Sequence, residues 1–452
     1  MVTAPHSRAL LKSRFLYNLF LHTVVAPFLA VYYLPKVFLG HKYQRSLSGK
    51  LGGLPAGFNP EGLARPRIWF HAVSVGEVVA LGPLVTAVKA LNPTATVIVS
   101  TGTETGQDTA AEMITEADGL IYLPLDFPAF VKPVVDRIRP DLFLLMESEL
   151  WPNLIHSLKD IGAHVALANG RVSDRSFPRY KRLGAWFAPM LDEIDLFLMS
   201  SDTDGHRIRE IGAPPDRIQI TGNSKFDAAL GEFPADSEAR MRELFNLAPG
   251  AKVFVAGSTH PGEHEVVLDA YSRLLERFPD LILIVVPRHV ERTPSIIAAM
   301  EERNMRAPFL RSSVDRGSRR RDEQVIIVDR IGELSQVFSI ATAVFMGGSL
   351  VPKGGQNILE PAAWGKVVLF GPYMDDFRDA RDFLVSAGAG MQVSTGSDLV
   401  KRVTEVLSQP AKAELLGKKG REEILRHVGS AGKNAEMLTR LLTHGRIVSP
   451  RF

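Results

Sequence analysis

An apolar run ending at Met346 is followed by two glycine pairs, Gly347-Gly348 and Gly354-Gly355, and then by Gln356, Asn357, Ile358, Leu359 and Glu360. The pattern predicts a strand, a loop in which an anion reaches the main chain, and a helix start. Glycine tolerates positive φ and close approach, and the free N–H groups of a first helical turn favour a phosphate. Glu360 falls one turn further on, where a carboxylate accepts hydrogen bonds from ribose hydroxyls. The loop matches neither G-x-G-x-x-G nor G-x-x-x-x-G-K-[ST], and an ordinary β-loop-α turn explains it equally, so other positions must decide.

Charged groups recur just past other apolar runs. Glu77 heads the helix after the run 67–73, in a turn opened by Gly76, with His71 and Ser74 nearby. Such a carboxylate is either a dipole partner for the helix or a general base facing a cleft. Glu147 and Glu149 follow the run 142–146, and two carboxylates at a core edge cost desolvation unless paired or used. Arg171, Arg175, Arg179, Lys181 and Arg182 form a cationic group that suits phosphates on an acceptor or a solvated helix face. Lys225 lies in Thr221–Asp227, where the first half of the chain closes. In the second half Ser258 and His260 follow the run 252–256, and Pro287, Arg288 and His289 follow 281–286. Ile331, Gly332 and Glu333 come after 324–328. Arg288 suits bidentate contact with a phosphate or carboxylate, and Gly332 lets its main chain reach a base or sugar.

The elements that must position these groups are short runs rich in Val, Ile and Leu, alternating with helical patterns. They fall at 67–73, 96–100, 120–125, 142–146, 164–168, 196–200 and 218–221, then at 252–256, 281–286, 324–328, 343–346 and 366–370. Strands apolar throughout and separated by helices imply parallel sheets covered on both faces, with ligands beyond the carboxyl ends of the strands. Acidic residues and prolines over 226–250 break the pattern and mark a boundary. The expected plan is α/β: an apolar segment over 1–45, one domain over 46–230 and another over 231–452. The arginine-rich loop 311–321 reads as a solvated excursion.

Composition sets the outer bounds. With 452 residues, 45% hydrophobic and 23% charged, the chain has the material for the cores of two or three domains. The absence of cysteine excludes disulfides, thiolate metal sites and a cysteine nucleophile, and suits a reducing compartment. Net charge is only +3, yet Arg8, Lys12, Arg14, Lys36, Lys42, Arg45 and Lys50 flank the apolar segment 15–34. That placement points to anionic lipid rather than nucleic acid. The segment has about the length of a bilayer core, but Asn18, His22 and Pro27 weaken it, while Tyr32, Tyr33 and Lys36 suit an interface. A span and a helix lying in the interface both fit.

Taken together, Ser74–Glu77, Glu147–Pro152, Asn169–Arg171, Gly222–Asp227, Gly257–His260, Pro287–His289 and Gly354–Pro361 resemble the bacterial 3-deoxy-D-manno-octulosonic acid (Kdo) transferases of lipopolysaccharide synthesis. The motif order covers nearly the whole chain. The resemblance implies a GT-B glycosyltransferase, two Rossmann-like domains facing a cleft behind a membrane-anchoring helix. Its activity would be inverting transfer of Kdo from CMP-Kdo to a lipid A precursor at the cytoplasmic face of the inner membrane. It further implies Glu77 as general base, Glu147 and Lys225 as supports of the transition state, and no metal or other cofactor. Ser74, Arg171, Ser258, Pro287, Arg288, Ile331, Gly332, Glu333, Asn357, Ile358, Leu359 and Glu360 would contact substrates. Gln356 departs from the histidine that many members carry. A soluble nucleotide-sugar epimerase of similar fold would have no use for the apolar segment. A non-enzymatic nucleotide-sugar binder would leave Glu77 without work.

Overall fold

The structure, a computed structural model, describes residues 5–38, 43–174, 176–230, 234 and 236–445. Lys42 and Arg175 lie outside the described residues, as do the side chains of Arg8, Lys12 and Tyr33. The chain divides into two units, Met1–Ala228 with His427–Phe452, and Ala229–Arg426.

Among the described residues the first unit has seven strands: β1 (Arg67–Ala72), β2 (Thr96–Thr101), β3 (Gly119–Tyr122), β4 (Leu142–Met146), β5 (His164–Gly170), β6 (Leu196–Met199) and β7 (Ile218–Ile220). They pair in the order β3-β2-β1-β4-β5-β6-β7, all parallel. The sequence explains the burial, because β4 has no polar position and every residue of β1, β2 and β4 is buried. Successive side chains feed opposite layers. Ile68, Phe70 and Ala72 join one apolar cluster, while Trp69 joins the other, edge-on to Phe143 at 4.9 Å.

Carboxylates close the amino ends of this sheet. Asp118, Asp141 and Asp195 each precede a strand and accept the N–H of Val97, Arg67 and Val165 at 2.8, 2.7 and 3.0 Å. The acids at the opposite edge belong to the candidate site.

The second unit repeats the plan with β8 (Val253–Thr259), β9 (Ile282–Pro287), β10 (Phe309–Leu310), β11 (Val325–Ile327), β12 (Ala343–Met346), β13 (Val368–Phe370) and β14 (Gly390–Gln392). Their order is β10-β11-β9-β8-β12-β13-β14, again parallel throughout. The two edge strands β10 and β14 are absent from the sequence reading, since two or three residues without an apolar run carry no periodic signal.

The arginine-rich loop is built into this unit rather than solvated throughout. Arg311–Arg316 forms a 3-10 helix, and buried Arg320 donates to the carbonyls of Glu323, Phe245 and Asn246 at 2.6, 3.3 and 3.0 Å.

Two segments depart from a simple succession of domains. Helix Ser430–His444 packs Ala431, Ala435, Leu438 and Leu441 into the apolar cluster that includes Val78, Leu81 and Leu84 of helix Val75–Leu91. The expected second domain, 231–452, therefore loses its last helix to the first unit. At the other end, Pro5–Phe20, a π-helical turn Leu21–Val25 and Ala26–Phe38 run on from one another. Tyr17 donates to Asp126 at 2.9 Å, and the amides of Asn18 and Asn153 exchange hydrogen bonds at 3.1 and 2.9 Å. Phe15, Leu19, Phe20, Val24, Phe28 and Val31 are exposed, the last by 77%. No described helix is long and apolar enough to cross a membrane.

Leu438→Ala is expected to cost the first unit about 2–5 kcal/mol, the usual price of a cavity in a packed core. Amides of β1, β2 and β4 should lose hydrogen-exchange protection while those of β8, β9 and β12 keep theirs. Equal losses in both sheets would contradict the assignment of the helix.

Candidate active site

In the first unit the strand order reverses between β1 and β4, which opens a crevice at their carboxyl ends. Glu77 enters it from the helix that follows β1, and Glu147 from the end of β4. The Glu77 side chain folds back over its helix start, accepting from the Val73 N–H at 2.9 Å and the Ser74 hydroxyl at 3.0 Å. It is 8% exposed. Burial pushes its carboxyl up to about 7, and the neighbouring charges of Glu147 and Glu149 add to that against the two hydrogen bonds. Burial and Glu147 also push Glu149 up.

Glu147 has φ 58°, in the left-handed region where a side chain other than glycine is strained. The turn aims its carboxylate at Lys225, whose ammonium donates at 2.6 Å. Lys225 opens the short helix Lys225–Ala229 just after a distant loop, and nearly every residue of Gly222–Asp227 helps to hold that loop. Gly222 has φ 94°, and a Cβ there would meet Ser430 Oγ at 2.4 Å. Asn223 Oδ1 accepts the Lys225 N–H at 3.0 Å. The Ser224 hydroxyl donates to the Ala80 carbonyl at 2.7 Å. Phe226 lies against His427, ring centroids 5.0 Å apart. Asp227 accepts the Gly429 and Ala431 N–H groups at 2.8 and 3.3 Å, capping helix Ser430–His444.

The clamp that seats this loop is Asn169, fully buried with φ 51° at the end of β5. Its amide donates to Ser224 Oγ at 2.9 Å and its carbonyl accepts the Ser224 N–H at 3.0 Å. Arg171 follows two residues later, half-buried, and its carbonyl accepts from the Ser148 hydroxyl. The expected cationic surface is partly committed: Lys181 pairs with Glu210 at 2.6 Å, whereas Arg179 and Arg182 are exposed. His71 is wholly buried, with Nδ1 against Ser100 and Nε2 without a partner among the described residues, and burial lowers it to about 4.

The second unit reverses between β8 and β12, and there a carboxylate organises the glycine loop. Glu263, fully buried, accepts four main-chain N–H groups: His260 at 2.9 Å, Gly348 at 2.7 Å, Ser349 at 3.0 Å and Leu350 at 2.8 Å. A Cβ on Gly347 would stand 2.5 Å from the Ser258 carbonyl and 2.8 Å from Glu263, so the chain passes this close only as glycine. Ser258 is itself left-handed at φ 51°.

Arg288 lies just past β9, exposed, with its N–H donating to Thr259 at 3.0 Å. Pro287 before it is buried. Asn357 donates to Glu360 at 3.0 Å and accepts the Leu359 N–H at 3.1 Å. Burial pushes the Glu360 carboxyl up, offset by the Asn357 hydrogen bond and the charge of Arg288.

Several expectations change here. Helix Leu359–Ala363 has only five residues, so its dipole supplies little to an anion, and Glu263 already takes the N–H groups of Gly348, Ser349 and Leu350. The side chains of Ile358 and Leu359 are 0% and 3% exposed, which leaves their main chain to meet a ligand. Ile331 is exposed and Gly332 has φ 88°. The Glu333 carboxylate is gripped bidentately by Arg311, both contacts 2.8 Å. Among the described residues no group of three or more His, Asp or Glu side chains is placed to hold a metal ion.

Asn169, Ser224, Asp227 and Glu263 carry the architecture yet were not singled out as site residues. Asn169-Gly170 after a strand does signal a left-handed turn, and Glu263 three residues beyond His260 resembles a capping acid.

The family model for 3-deoxy-D-manno-octulosonic-acid transferase (kdotransferase) matches residues 46–228. The chain is 32% identical over 372 residues to the 3-deoxy-D-manno-octulosonic acid transferase of Haemophilus influenzae, covering 82% of this chain and 86% of that one. It is 34% identical over 342 residues to a bifunctional glycosyltransferase/methyltransferase of Fusobacterium nucleatum, covering 75% of this chain but 52% of that protein, so it spans about half the length of that relative. Among solved structures, the UDP-GlcNAc 2-epimerase of Neisseria meningitidis superposes over 83% of this chain and 99% of its own, with TM-score 0.54 and 14% identity, a likeness of fold alone. With strand-end acids and glycine loop arranged as described and the Haemophilus influenzae transferase matched over most of its length, the chain belongs to the 3-deoxy-D-manno-octulosonic acid transferase family of glycosyltransferases.

Proposed function

We propose that the chain transfers Kdo from CMP-Kdo to a lipid A precursor, lipid IVA, with inversion at the anomeric carbon, as a GT-B enzyme at the cytoplasmic face of the bacterial inner membrane. The observation that carries this is Glu77: a buried carboxyl poised near neutrality at the switch point of the first sheet. A general base works best when its pKa lies near the working pH. In the proposed step Glu77 takes the proton of the acceptor hydroxyl while that oxygen attacks the anomeric carbon. The bond to the CMP phosphate breaks on the opposite face, and its electron pair leaves with the phosphate. Lys225 and Glu147, already ion-paired, support the charge that develops, and Ser74 and Arg171 meet the acceptor.

The donor would lie on the second unit. Arg288 and Ser258 suit its phosphate, and Asn357 and Glu360 suit its ribose. Pro287, Ile331 and Gly332 complete that surface, together with the main chain of Glu333, Ile358 and Leu359. CMP leaves as a phosphomonoester, which lessens the need for a bridging metal, so the proposal includes none. The exposed apolar stripe from Phe15 to Val31, backed by polar contacts to the body, supports a helix lying in the membrane interface.

Glu77→Gln should lower kcat on CMP-Kdo and lipid IVA by roughly 10²–10⁴-fold, read by mass spectrometry of the product, and remove a kcat/KM limb that rises through about pH 7. The same change should stabilise the fold. A carboxyl whose folded value lies above its unfolded one is destabilising once ionised, so wild-type stability falls as pH rises from about 4.5 towards 7. At pH 8 the variant should be more stable by on the order of 2 kcal/mol. Undiminished transfer would remove Glu77 as the base.

Arg288→Ala should weaken CMP binding by about 1.5–3 kcal/mol in calorimetry, the loss of a charge-assisted partner; unchanged affinity would contradict its phosphate role. Replacing Phe20 and Phe28 together by Asp should release the protein from anionic vesicles in flotation. Retention on them would place the anchor elsewhere.

A further inference from the structure

Between the helices over the carboxyl ends of β4, β5 and β6 the first unit has a partly open cavity of about 120 Å³ whose apolar lining the proposed chemistry leaves unused. Leu150, Leu167, Tyr180, Phe187, Met199 and Ile208 line it. Its polar lining comes from Ser148, adjacent in sequence to Glu147, and from Arg171. An apolar cavity on the order of 150 Å³ stays dry and accepts groups the size of benzene, so this one fits the end of an alkyl chain.

The cavity's surroundings say which chain. Phe187 also borders a smaller void shared with Arg14, Tyr17 and Trp186. One ring therefore separates the cavity from the N-terminal helix, whose other side is the exposed apolar stripe. Trp186 and Phe187 meet edge-on at 4.9 Å, and Trp186 reaches Tyr17 at 6.1 Å, so helix Gly184–Leu191 is a wall common to both. Helix Phe177–Arg182 is the cover of the cavity, with Tyr180 in its lining and Arg179 and Arg182 exposed, a cationic rim that suits the phosphates of an anionic lipid.

We propose that this cavity receives the end of one acyl chain of the lipid acceptor, seating the headgroup beside Glu147 and Lys225. The inference rests on the transferase reading above and adds to it a built-in measure of acylation. An acceptor with a seated chain is held in register with the base, whereas its deacylated counterpart relies on the rim alone.

Transfer by the full chain is compared on lipid IVA and on the deacylated disaccharide bisphosphate. Filling the cavity by Ile208→Trp, or by Tyr180→Trp on the more tolerant half-buried cover, should cut the preference for lipid IVA about tenfold through KM, as when a few methylene groups lose apolar contact. Folded variants that keep the wild-type preference would overturn the proposal. A palmitate tipped with a diazirine, irradiated with wild-type protein, should label Leu167, Met199 or Ile208, and Ile208→Trp should abolish that label. Label confined to the stripe from Phe15 to Val31 would also overturn it. Cavity labelling in a protein that transfers nothing to lipid IVA would support the chain site and overturn the activity proposed above.

Discussion

Taking a carboxylate out of water is costly, and the ends of these parallel strands meet that cost in graded ways. Glu263 accepts four main-chain N–H groups and becomes part of the scaffold. Glu147 is matched by a single ammonium from Lys225. Glu77 has two neutral donors and two like charges nearby, too little to keep it ionised far below neutrality. The least satisfied of the three is the one left free to exchange a proton.

Backbone strain follows the same positions. Glu147, Asn169 and Ser258 all adopt left-handed conformations just at or past the carboxyl end of a strand. Each turns the chain sharply where an ordinary strand-to-helix connection would carry it away. Asn169 is the most economical, because its short amide tolerates that conformation and then holds Ser224 by two hydrogen bonds. The rigidity of the crevice comes from this side-chain bracing rather than from long helices, since the segment bearing Lys225 is a five-residue helix.

Much of this was legible beforehand, for physical reasons. A strand buried on both faces is mostly apolar, so runs such as 142–146 stand out, and every strand of the first sheet lies within a predicted run or extends one by no more than two residues. Glu77 and Glu147 were visible because a charge directly after such a run needs an explanation. Long-range partners were not visible. Glu263 meets residues 85–87 positions away, and Asn169 meets one 55 positions away, distances at which no periodicity speaks. The helix after Asn357 is short for a local reason: Trp364 and Gly365 turn the chain after five residues. The pairing of Glu333, expected to contact substrate, with Arg311 was hidden because Arg311 belongs to a loop read as solvated.

Helix Ser430–His444 is synthesised only after Ala229–Arg426, although it completes the core laid down around Val75–Leu91. Domains generally fold as units during synthesis. The sheet of the second unit, complete by Gln392, can thus form while the first unit still shows water the apolar face that Leu438 and Leu441 will cover. For that interval the nascent chain carries an open hydrophobic seam, and the half bearing the acids of the crevice is the last to become whole.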